Sequence, residues 1–364
     1  MIFSIDKQSN MLYNNNAKQT SHIQEVFMEY LWLIAGFALL VVGADIFVEG
    51  SSALAKLFKI PSIIIGLTIV AFGTSLPEAS VSISAAISGQ NDIAISNVLG
   101  SNIFNLLVVL GASALICPVK SNTSAIKREI PFSILITAVL GGIIALGAKF
   151  VNPESKGFEK FASAEFTVGL WGGIVLLVFF ALYMYWQING AVKSIKSGEI
   201  TEEENDNGIR IPASMSIKMI ILGIVGIILG GNLVVDNATI IAENFGMSQT
   251  FIGLTIVAVG TSLPELVTSI VAARKDESDL ALGNVIGSNI FNIVFILGAS
   301  AVISPMTIDI TALYDTIILF FVSIVGLIFA ITKKNFSRLE GAALLGIYGA
   351  YFTYILMREP ALLF

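Results

Sequence analysis

The stretch GLTIVAFGTSLPEASVSISAAISGQNDIAISNVLGSNIFNLLVVLG, residues 66–111, returns 187 residues later as GLTIVAVGTSLPELVTSIVAARKDESDLALGNVIGSNIFNIVFILG, residues 253–298, identical at 28 of 46 positions without a gap. Chance similarity between two apolar helices does not preserve both GTSLPE and GSNIFN, so the chain contains one unit twice. Working outward, ten hydrophobic spans stand out, at about 30–48, 62–88, 93–116, 130–148, 165–188, 216–235, 250–272, 279–303, 314–331 and 340–357. Each can cross a hydrocarbon core of about 30 Å as a helix. The composition agrees: 55% hydrophobic and 13% charged, where a soluble domain carries about 25% charged residues. The expected fold is therefore an all-α polytopic membrane protein of ten helices.

Each copy holds five spans, an odd number, so the second copy enters the membrane upside down relative to the first. Such inverted repeats characterise secondary transporters, whose sites lie near the midplane at broken helices from both halves. The basic residues agree. Loops that an extracytoplasmic N-terminus places inside carry 14 Lys and Arg, and the other loops carry three, Lys149, Lys156 and Lys160. Both termini are expected outside the cytoplasm. The expected units are a polar, disordered tail over 1–27, a first repeat over 28–188, a cytoplasmic linker over 189–215 and a second repeat over 216–364. The tail lacks the apolar core of a signal peptide, and reads equally as an extension upstream of the natural start. A single cysteine, Cys117, and a single histidine, His22, exclude a disulfide framework and a His or Cys metal cluster. Nothing points to nucleic acid.

Glu78 and Glu265 sit in the middle of spans 2 and 7. An ionised carboxylate there costs roughly 3 kcal/mol on insertion scales, and no basic residue lies at comparable depth to offset it. A bound cation is the natural partner. Pro77 and Pro264 lack an N–H and free the carbonyls of Gly73 and Gly260, and Thr74, Ser75, Thr261 and Ser262 add hydroxyls. Ser101 and Asn105, four apart, share one helical face, as do Ser288 and Asn292. Asn97, Asn102, Asn284 and Asn289 read equally as helix-packing residues. Two carboxylates among neutral oxygens suit hard cations such as sodium and calcium. Glu49 and its counterpart Asp236, with Asp45, read as interfacial acids. Trp171 and Trp186 fit an aromatic belt.

GTSLPE followed by GSNIFN, twice, resembles the alpha-repeats of the cation/calcium exchanger superfamily, and among its members the compact prokaryotic sodium/calcium exchangers. The resemblance runs from about residue 28 to the end. It implies four cation sites between broken spans 2, 3, 7 and 8, with Glu78 and Glu265 as the principal calcium ligands. The carbonyls of Thr74 and Thr261 would assist them. Ala71, Ser75, Ser101, Ala258, Ser262 and Ser288 would help form sodium sites, and Asn105 and Asn292 would line the centre. It further implies exchange of about three sodium ions per calcium, spans 1 and 6 sliding across the other eight, and the cell membrane of a prokaryote. Calcium and sodium are the transported ions, no cofactor is expected, and a monomer is the expected working unit. One position departs: several exchangers of the family hold aspartate where this chain has Asn292. Proton/calcium exchange is the alternative coupling. A channel is disfavoured because the acids form an inverted pair rather than a ring of identical subunits. No P-loop or aspartyl-phosphate motif indicates an ATP-driven enzyme.

Overall fold

In the computed structural model, residues 2–150, 164–197, 211–245 and 258–358 are described. They form a helical bundle. Helix α1 (Ile2–Phe58) is followed by the bent pair α2 (Ser62–Thr74) and α3 (Leu76–Ile87), then α4 (Asn91–Ile116), α5 (Ala125–Leu146) and α6 (Leu170–Ser197). The second half holds α7 (Ala213–Asn244), α8 (Ala258–Thr261), α9 (Leu263–Arg274), α10 (Ser278–Ile303), α11 (Ile310–Lys333) and α12 (Arg338–Arg358). Among the described residues, eight helices are long and apolar enough to cross a membrane, and nine spans result when α2 and α3 count as one. The tenth expected span, 250–272, begins outside the described residues, and α8 and α9 are its described part. Most of the linker, 198–210, also lies outside them.

Two sequence expectations differ from the structure. The bundle is not wholly helical: β1 (Val119–Lys120) pairs antiparallel with β5 (Asn335–Phe336), and β3 (Ala164–Val168) lies between β2 (Ala148–Phe150) and β4 (Met306–Ile308). Chain leaving a helix end still has backbone N–H and C=O groups to satisfy, and short pairing between neighbouring connections does so. Period-2 patterning over two to five residues is too short to read. The polar stretch expected as a disordered tail is helical from Ile2 and continues into the first span. Hydropathy marks where a span begins and does not distinguish polar helix from polar coil.

The core is built on α4 and α10, whose membrane-crossing windows are 72% and 78% buried, against 17–39% in the other candidate spans. That ranking explains their composition. Helices enclosed to this degree can turn the amides and hydroxyls of GSNIFN toward protein. Helices α1 and α7 pack along one another on the outside of this core. Glycine makes that approach possible: a Cβ at Gly223 would lie 2.6 Å from the Cβ of Phe47.

Candidate cation site

The site forms where the bend of α2–α3 and the α8–α9 junction meet α4 and α10. The first of these breaks at Ser75, whose φ and ψ are −85° and 10°, and turns by 52° into α3. Ser262 has φ and ψ of −93° and 5°. Pro77 and Pro264, without an N–H to continue the ladder, explain why both interruptions fall where they do. Each places its glutamate in the first turn beyond the break. On the other two helices, π-helical turns begin at Asn105 and Asn292, a local widening often found at functional positions. A Cβ at Gly287 would stand 2.7 Å from the Cα of Leu67, so only glycine lets α10 lie this close to α2.

Glu78 and Glu265 are fully buried. Each carboxylate is held by one hydroxyl from its own repeat and one from the other. Ser262 donates to Glu78 Oε1 at 3.0 Å and Ser101 to the same oxygen at 3.3 Å. Ser75 donates to Glu265 Oε1 at 2.9 Å and Ser288 at 3.5 Å. Ser262 Oγ also lies 2.9 Å from Ser101 Oγ, and its single proton serves one acceptor at a time. The ion pairs of the described residues lie elsewhere, and neither carboxylate takes part in them.

Four buried amides link α4 to α10. Asn102 Nδ2 donates to the Asn289 carbonyl at 3.0 Å, and Asn289 Nδ2 donates to the Asn102 carbonyl at 3.1 Å. Asn105 Nδ2 donates to Asn289 Oδ1 at 3.2 Å, and Asn292 Nδ2 to Asn102 Oδ1 at 3.0 Å. Asn102 and Asn289 thus use both donor and acceptor within the protein, whereas Asn105 and Asn292 donate and leave their own Oδ1 without a partner. Glu78 Oε2, Glu265 Oε2, Asn105 Oδ1 and Asn292 Oδ1 are buried and accept no hydrogen bond. Four such oxygens are costly in an apolar interior, and they are an all-oxygen donor set of the kind hard cations take. Among the described residues no group of three His, Cys, Asp or Glu side chains converges to hold a metal.

The remaining candidates are placed around this set. Thr74 Oγ1 lies 3.1 Å from the Val70 carbonyl of its own helix and 2.9 Å from Asn284 Oδ1, and its one proton serves either acceptor. Thr261 Oγ1 lies 3.4 Å from Asn97 Oδ1. The Ala71 carbonyl accepts from Ser288 Oγ at 3.5 Å, and Ala258 opens α8. Asp45 and Glu49 are about half exposed and Asp236 is exposed, all away from this set. Sequence reading missed Ser82 and Ser269. Asn97 Nδ2 donates to Ser82 Oγ at 2.9 Å and to the Glu78 carbonyl at 3.3 Å, and Asn284 Nδ2 does the same with Ser269 and Glu265 at 2.9 and 3.3 Å. Their equivalence under the 187-residue shift, one turn beyond each glutamate, was the available signal.

Residues 28–189 and 215–357 match the family described as sodium/calcium exchanger protein. The chain belongs to that family. Among relatives, the sodium/calcium exchanger MaX1 of Methanosarcina acetivorans is 34% identical over 349 residues, 90% of this chain and 98% of MaX1. A relative from Alkalimonas amylolytica named CaxA is 39% identical over 325 residues, 88% of this chain and 96% of CaxA. The sodium-calcium exchanger NCX_Mj superposes with a TM-score of 0.73 at 30% identity, covering 90% of this chain and 99% of NCX_Mj. This exchanger-family chain is a membrane-spanning cation antiporter, a transporter and not an enzyme.

Proposed function

We propose that the chain exchanges sodium for calcium by alternating access, at about three sodium ions per calcium. The observation that carries the reading is the set of four buried acceptor oxygens, two from carboxylates and two from amides, drawn equally from the two repeats. Two negative charges balance one divalent ion or two monovalent ions, so occupancy by one set excludes the other. Glu78 and Glu265 are the calcium ligands in this reading. The carbonyls of Thr74 and Thr261 assist, Ala71, Ser75, Ser101, Ala258, Ser262 and Ser288 contribute to sodium sites, and Asn105 and Asn292 line the centre.

The reading includes ten spans in two inverted five-helix repeats, 28–188 and 216–364, joined by a cytoplasmic linker. Contacts between chain ends support it. Asn122, in the connection after span 3, donates to Asp279 after span 7 at 3.0 Å, and Lys275 after span 7 pairs with Asp45 near the end of span 1 at 2.7 Å. The connection after span 2 meets the one after span 8, where the Asp309 N–H donates to Asp92 at 3.3 Å. Asn244, ending span 6, donates to Glu29 at the start of span 1 at 3.1 Å. Odd connections meet odd and even meet even, as ten crossings require. With the positive-charge bias, both termini then lie outside the cytoplasm of a prokaryotic cell, and the protein works as a monomer.

The test is calcium uptake into proteoliposomes under separate sodium, potassium and proton gradients. Uptake that follows the sodium gradient supports the reading. Uptake that follows only the pH gradient replaces it with proton/calcium exchange, and no calcium movement under any gradient overturns the calcium assignment.

A further inference from the structure

The two ends of the bundle are not equivalent. At one end, Lys275 in the connection between α9 and α10 donates to Asp45 Oδ1 at 2.7 Å and to the Asp45 carbonyl at 3.2 Å, with Glu49 Oε2 at 3.8 Å. Two residues on, Glu277 pairs with Lys56 at 3.4 Å and accepts a hydrogen bond from buried Ser52. All of these contacts tie α1, in the first repeat, to a connection of the second. The 187-residue shift carries Lys275 and Glu277 onto Ser88 and Gln90, and Asp45 onto Asn232. Ser88 and Gln90 carry no charge, so neither of these two positions can form an ion pair with α7. Packing differs in the same sense. Helix α1 lies along α9, whereas within the described residues α7 and α3 barely touch. Ser80 and Ser84 of α3 are exposed, while their counterparts Val267 and Val271 on α9 are partly covered.

A perfect inverted duplicate has two end states of equal energy, because exchanging the conformations of its repeats converts one into the other. Side chains present at one end only remove that degeneracy. We propose that Lys275 and Glu277, with Asp45, Glu49 and Lys56, form an ionic latch that holds this end closed and sets the sidedness of exchange. The protein rests open at the Ser84 end, and ions meet unequal apparent affinities at the two faces, each scaled by the fraction of molecules open to it. The inference rests on the alternating-access reading above. Partly exposed ion pairs each shift such an equilibrium roughly twofold to fivefold, so the cluster is worth about tenfold.

The test uses the full chain with Cys117→Ser, since Cys117 is its one cysteine, and a single reporter, Ser84→Cys or Val271→Cys. The rate of alkylation by a membrane-impermeant maleimide is measured in proteoliposomes from the matching side. From a roughly tenfold preference, adding Lys275→Gln with Glu277→Gln should raise the Val271→Cys rate about fivefold and halve the Ser84→Cys rate. Choline chloride near molar strength should reproduce the shift with the latch intact and do nothing once it is neutralised. The charge swap Lys275→Asp with Asp45→Lys should restore the original pair of rates, and if that variant fails to fold, the salt comparison still decides. Acceleration of both reporters would mean general loosening and would overturn the latch, as would no change in either. Alkylation does not depend on which ion is carried, so failure of calcium exchange in the unsubstituted protein is a separate result that bears on the antiport reading.

Discussion

Glu265→Gln removes one of the two charges in the site and little else. The amide keeps an oxygen for the hydroxyls of Ser75 and Ser288, which lie 2.9 and 3.5 Å from Oε1. It places an uncharged NH2 where Oε2 is buried without a donor. A pair of unit charges 4 Å apart is worth about 4 kcal/mol at an effective dielectric of 20, and a divalent ion doubles that. Rehydration of the ion and rearrangement of its other ligands return much of the gross energy. With two thirds returned, about 3 kcal/mol remains, a loss of roughly a hundredfold in calcium affinity. Sodium, with half the charge, should lose about tenfold by the same argument. The assay is calcium-45 uptake by sodium-loaded proteoliposomes over a range of calcium concentrations, with thermal unfolding in detergent to confirm that the protein is intact. Glu78→Gln should behave alike, because Ser262 and Ser101 hold its carboxylate in the same manner. A folded Glu265→Gln protein whose apparent calcium affinity stays within threefold of the original would refute a calcium site built on these two carboxylates.

Three further outcomes follow from particular contacts. Asn292→Asp exchanges a donor to Asn102 Oδ1 at 3.0 Å for a third negative charge, so calcium should bind more tightly at alkaline pH and lose that gain as the new carboxyl protonates, read from uptake measured across pH. Asp315→Asn should lower thermal stability by about 2–4 kcal/mol while leaving calcium affinity unchanged, because Arg358 makes paired contacts of 3.1 and 3.2 Å with a largely buried carboxylate on α11, outside the helices that form the site. Gly223→Ala forces a methyl into the 2.6 Å gap beside Phe47 and should destabilise by about 1–3 kcal/mol, visible as a lower melting temperature and slower exchange, since α1 and α7 must then separate.

Glu78 and Glu265 were legible because an acid in an apolar span stands out, and a proline beside each announced the break. Ser101 and Asn105 were legible as one helical face, yet they divide the work: Ser101 holds Glu78, while Asn105 turns its donor to Asn289 and leaves its oxygen free. Asn97 and Asn284 read equally as packing residues; each instead joins the backbone of its own glutamate to the threonine of the other repeat. The short strands were not foreseen because they have no pattern of their own, only a partner.

By itself the sequence determined that the chain spans a membrane, that it contains one unit twice, and which residue types each unit brings to the candidate site. These depend on composition, on the length of apolar runs and on a motif repeated at a constant shift, all of which are local or additive along the chain. Only the tertiary structure decided who meets whom. Ser75 serves Glu265 and Ser262 serves Glu78, across 190 and 184 residues of chain, because each broken helix crosses to the other repeat's carboxylate. Asn102 and Asn289 clasp one another's backbone reciprocally, and Lys275 finds Asp45 at one end while its counterpart Ser88 can find no ion pair at the other. Such pairings depend on the packing of α4 against α10 and of α1 against α9, where side-chain directions set by two helices at once select a partner that spacing along either helix leaves open.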